Sequence, residues 1–88
     1  MDYSKMLNEA QQSVAYWAEI PRGDFSEELY RAMREQKINK SQLVSRSDIT
    51  RDFLMRALNG TATLTIFSMA KIAKALGYQV RIRFEPID

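Results

Sequence analysis

Residues 38–60, INKSQLVSRSDITRDFLMRALNG, constrain this chain more than any other stretch. They read as two short helices joined by a tight turn. Asn39 suits the N-cap of the first, because its side-chain oxygen can accept from free amides of the opening turn. Leu43 and Val44 are that helix's inward pair. Asp48 falls where the first helix must stop sharply, and Asp tolerates a left-handed backbone better than most non-glycine residues. Ile49 returns to the core. Thr50 is placed to cap a second helix running from about Arg51 to Leu58. Asn59-Gly60 ends it, with glycine adopting positive φ at low steric cost.

On the second helix Leu54, Ala57 and Leu58 fall at three- and four-residue spacing and share one buried face. Arg51, Asp52, Phe53, Met55 and Arg56 are left wholly or partly outside. A short helix with a buried rear and outward arginines suits a reader of the DNA major groove, where arginine can bond both O6 and N7 of guanine.

The stretch resembles the helix-turn-helix of the phage-repressor-like (XRE) family. The spacing from Leu43 through Ile49 and Leu54 to Asn59-Gly60 matches that pattern without a gap. FSEELYRAMREQKINKSQL resembles the family's first helix running into its second, and LTIFSMAKIAKALG its fourth helix. With the basic segment that follows, residues 45–77 are also similar to HigA-type antitoxins and their stand-alone regulatory relatives. Residues 25 to 84 carry the resemblance. It implies a mainly α, five-helix repressor-like domain in which Arg51, Asp52, Phe53 and Arg56 face base edges. Arg51 either reads a base or clamps a phosphate, and Arg56 is the best match for a guanine. Phe53 lies against a thymine methyl or belongs to the core. Asp52 accepts from cytosine N4 or orients Arg56 from the start of the helix. Met55 either touches DNA or supports Phe53. Asn39 and Lys40, at the start of the first short helix, suit backbone phosphates, since a helix N-terminus favours anions. Thr50, Arg46, Thr61 and Thr63 are further phosphate candidates; the two loop threonines can equally be caps, and Arg46 a solvated surface residue. Asp48 stands where the family usually has glycine, and Val44 where alanine is common.

Length and composition agree with one small domain. Its 88 residues can bury about 60% of the unfolded surface, enough for a modest core. No apolar run approaches the ~20 residues of a membrane span, and no signal-peptide pattern opens the chain, so cytoplasmic residence and no membrane partner are expected. The sequence lacks cysteine and histidine. It therefore has no thiol nucleophile, no thiolate ligand and not the commonest general base, and with no phosphate-cradling glycine loop an enzyme is not expected, nor a metal or cofactor. The net charge of +2 is mild, but residues 1–37 carry five cations against seven anions and residues 38–88 eight against four. The basic part contains the proposed reading unit, as a phosphate-binding surface requires.

Three segments follow in order: an N-terminal helix and connector at 1–23, the helix-turn-helix domain at 24–77, and a C-terminal strand at 78–88. In residues 3–20 Tyr3, Met6, Leu7, Ala10, Val14 and Trp17 recur at helical steps, and Pro21 and Gly23 are expected to end that helix. The next helix is expected to start at Asp24 or Ser26, bury Phe25, Leu29, Ala32 and Met33, and carry a Glu27–Arg31 pair. Thr65 caps a helix over Ile66–Leu76 whose buried side is Ile66, Met69, Ala70, Ile72, Ala73 and Leu76. In YQVRIRFE, Tyr78, Val80, Ile82 and Phe84 alternate with polar residues, as in a half-buried strand. A lone strand leaves its amides and carbonyls without partners, so pairing of two copies across a two-fold axis is expected. The rival is addition to another protein's sheet, which an antitoxin could make with a small toxin. Three functions compete: a repressor acting alone at a pseudo-palindromic operator on double-stranded DNA, an antitoxin that also represses its own operon, and a helical adaptor that never meets DNA.

Overall fold

The computed structural model describes residues 13–87. Among them are four helices: α1 (Val14–Gln36), α2 (Lys40–Ser47), α3 (Arg51–Leu58) and α4 (Ile66–Ala75). The expected stripe of residues 3–10 lies outside the described residues.

Each short helix starts where the sequence places a cap. Asn39 Oδ1 accepts from the Gln42 amide at 2.8 Å, while the Asn39 amide donates to Gln42 Oε1 at 2.9 Å. Thr65 and Ser68 make the same reciprocal pair, both bonds 3.0 Å, and Thr50 Oγ1 accepts from the Phe53 amide at 3.0 Å. Such caps each satisfy amides that the helix itself cannot. Three helices end alike. The Ile38 amide donates to the Met33 carbonyl, Thr61 to Arg56 and Tyr78 to Ala73, each with a second, shorter-range bond made by the left-handed residue before it. Gly60 and Gly77 are those residues at α3 and α4, and Lys37, with φ 55°, takes the position at α1.

The caps hold a single core. α1 packs on α3, and α2 on both α3 and α4. Leu29, Ala32 and Met33 of α1 meet Leu43 of α2, Leu54, Ala57 and Leu58 of α3, Ala62, and Ile72 with Leu76, while Phe25, Ile38, Val44 and Ile49 close its rim. Ser47 is buried among them and donates its hydroxyl back to the Leu43 carbonyl at 2.6 Å. Gln36 Nε2 donates to the Leu76 carbonyl at 2.6 Å, tying α1 to the end of α4.

Five expectations need correction. Pro21 and Gly23 do not end a helix; they lie inside α1, which is continuous through them. A proline in mid-helix withholds one N–H and keeps φ helical, so it weakens the helix without forcing a stop. Neither Asp24 nor Ser26 caps a new helix, because the Ser26 hydroxyl instead donates to the Leu58 carbonyl at the end of α3. Arg31 pairs with Glu28 and Glu35, not Glu27, and the hydrogen bond to Glu28 holds its guanidinium pKa above the ordinary value. Ile66 is 69% exposed and Ala70 is exposed as well. Ile72 is what α4 buries, while Phe67 lies outside with Lys71 Nζ 5.0 Å from its ring centre. Residues 78–87, finally, have no regular structure, and no strand occurs among the described residues. A single chain offers this segment no second edge to pair with.

A Cβ added at Gly23 meets no atom within 4 Å, and φ there is not positive. Gly23→Ala is therefore expected to stabilise the fold by about 0.5–1 kcal/mol, since alanine loses less backbone freedom in a helix. Thermal unfolding followed by circular dichroism checks this, and a lowered midpoint would contradict a helical residue 23.

Candidate nucleic-acid interface

The turn between α2 and α3 sets which side of α3 faces out. Asp48 adopts φ 57°, a left-handed conformation. Ile49 then packs on the core and Thr50 caps α3. With Leu54, Ala57 and Leu58 at most 3% exposed, the opposite side of α3 has nowhere to point but solvent.

Arg51, Asp52 and Arg56 occupy that outer side, and each is exposed. Arg56 Nη2 lies 3.1 Å from Asp52 Oδ2, one turn earlier on the same helix. An exposed pair at this spacing stabilises a helix by tenths of a kcal/mol, too little to hold Arg56 against a competing ligand. In the structure the pair sets the guanidinium beside Asp52 on the outer side of the helix. Arg51 is anchored differently. Its Nη1 donates to Ser41 Oγ of α2 at 3.2 Å, which draws the side chain toward the start of α2.

Phe53 and Met55 are half-buried, and Phe53 packs against the core. Of the two readings of Phe53, the structure favours core packing with one edge outside. Thr50 uses its oxygen to accept the capping bond and keeps its hydroxyl hydrogen available. Thr61 is exposed and donates to the Arg56 carbonyl at 3.3 Å, so it helps close α3. Asn39 is exposed as the α2 cap, Arg46 and Thr63 are exposed, and Lys40 is half-buried.

The structure adds two residues that sequence reasoning missed. A cleft of about 650 Å³ opens between the end of α1 and the start of α2, and Arg34, Lys37, Lys40 and Arg51 line it with Asn39 and Ser41. No acidic residue lines it. Cations at 34, 37 and 40 recur at three-residue steps, a signal legible in the sequence. What concealed it is that α1 ends within the series, and only the left-handed turn at Lys37 folds the three onto one cleft.

The buried rear of α3, its outward arginines and the adjoining basic cleft form one surface with the geometry of a helix-turn-helix. Comparison with known proteins agrees. The family profile of the Cro/C1-type HTH DNA-binding domain matches residues 28–81, more than half of the chain. No curated protein and no solved structure matches it. By the span of that match and by the α2–turn–α3 geometry, the chain belongs to the family of Cro/C1-type helix-turn-helix DNA-binding domains.

Proposed function

We propose that this protein is a sequence-specific transcriptional regulator, a cytoplasmic repressor that places α3 in the major groove of a pseudo-palindromic operator. The observation that carries the reading is the division of α3, with Leu54, Ala57 and Leu58 buried and Arg51, Asp52 and Arg56 exposed. Arg56 reads a guanine, and Asp52 presents it. Arg51, directed toward α2, contacts a phosphate or the first base of the half-site. Phe53 and Met55 offer apolar edges to a thymine methyl. Asn39, Lys40 and Thr50 meet the backbone, with Arg46, Thr61 and Thr63 flanking them and Arg34 and Lys37 extending the basic cleft.

The repressor acts as a homodimer joined through Tyr78, Val80, Ile82 and Phe84. Two-fold symmetry matches the operator's symmetry and spaces half-sites about 34–36 Å apart, or a multiple of that. Residues 78–87 support this, because Ile82 and Phe84 are 64% and 95% exposed in the single chain. A second reading adds a toxin partner and makes the protein an antitoxin that represses its own operon, as the resemblance of residues 45–77 to HigA-type antitoxins would imply. It draws on the exposed Val14, Tyr16 and Ile20 along the first half of α1. Co-purification with the product of a neighbouring small reading frame favours the antitoxin; its absence favours the repressor acting alone.

Selection of bound sites from random DNA tests the main reading, and no enrichment would favour an adaptor that never meets DNA. On the selected site Arg56→Ala is expected to cost about 1–3 kcal/mol and relax discrimination at one base pair. A loss equal on all sequences would remove Arg56 from base reading. Lys40→Ala and Lys37→Ala are each expected to weaken binding evenly across sequences and lower the salt slope by about one. An unchanged slope would take that lysine off the phosphates.

A further inference from the structure

On the side of α1 away from the basic cleft, a groove of about 570 Å³ runs between α1 and α4. Phe25 and Leu29 of α1 and Met69, Ile72 and Ala73 of α4 line its floor, and the chain's own residues 78–83 form one wall. The rim on α1 carries Asp24, Glu28 and Arg31. Glu28 is engaged by Arg31, whereas Asp24 has no ion-pair partner among the described residues. Arg81, across the groove on the tail, has none either, and Arg83 is paired only with Glu85 at 2.8 Å.

We infer that this groove is the receptor for residues 78–84 of a second copy of the chain, which lie beside the resident tail and set the partner's Arg81 against Asp24. This rests on the homodimer proposed above and adds where its second strand is seated. Three observations select a second copy as occupant. The segment alternates apolar residues with Gln79, Arg81 and Arg83, so one face suits an apolar floor and the other the unpaired Asp24 on the rim. The resident tail fills one wall only, and its Ile82 and Phe84 side chains are exposed. Strand addition gives the backbone of both tails partners, and because the same segment serves on both sides the contact is self-complementary about a two-fold axis.

Charge exchange in the full-length chain tests the inference. Sedimentation is expected to show that Asp24→Arg and Arg81→Glu each weaken self-association about tenfold, since like charges then face each other at both symmetric sites. Circular dichroism confirms that each variant keeps its helices. Mixing the two variants is expected to restore the dimer. In the mixed dimer one site pairs the new Arg with the new Glu and the other keeps Asp24 with Arg81. If the wild type is a monomer, the homodimer reading and this inference both fall. If it is a dimer that neither variant weakens, another surface joins the copies and the inference alone falls. If both variants weaken it but mixing gives no rescue, residues 24 and 81 meet within one chain and the groove is closed by its own tail, which also overturns the inference.

Discussion

Leu43, Leu54 and Ile72 are almost fully withdrawn from water, and they come from three different helices. Truncating such a side chain to alanine typically costs about 2–5 kcal/mol, a large share of the ~5–15 kcal/mol that holds a domain together. The exposed ion pairs of α1 and α3, open to solvent, contribute far less. Apolar burial therefore decides how α2, α3 and α4 are set against one another. The outward face of α3 is a by-product: once Leu54 is committed inward, Arg51, Asp52 and Arg56 follow from helical geometry alone.

Backbone conformation supplies the second constraint. The chain must reverse within a few residues after each helix, and left-handed residues do this at Lys37, Asp48, Gly60 and Gly77. Two of the four are not glycine, and each bears a strain of about 1–2 kcal/mol that glycine would avoid. At Lys37 the strained residue is also a cation lining the basic cleft. A glycine there would turn as readily and carry no charge, so local strain and surface charge are linked at one position.

The helix-turn-helix was legible because its signals are local. Asn39, Thr50, Asn59-Gly60 and the three- and four-residue apolar steps each act within a turn or two, and the structure keeps all of them. Signals that depend on distant partners were not legible. Ser26 reads as a cap until Leu58, 32 residues on, claims its hydroxyl. Pro21-Arg22-Gly23 reads as a break, but a helix continued on both sides carries through it. Ile66 and Ala70 sit at the right spacing to be buried, yet no element covers them. The alternation of residues 78–84 is clear in the sequence, whereas what it lies against depends on a surface that α1 and α4 create only when folded.

The 23 residues of α1 span about 34 Å at ~1.5 Å per residue, and the molecule measures 50 × 25 × 22 Å. Its buried residues are confined to the second half, Leu29 onward, so the first half stands out like a lever arm. The fulcrum is the Ser26–Leu58 bond, which fastens α1 to the end of α3. A load applied near Val14 thus acts at a distance on α3.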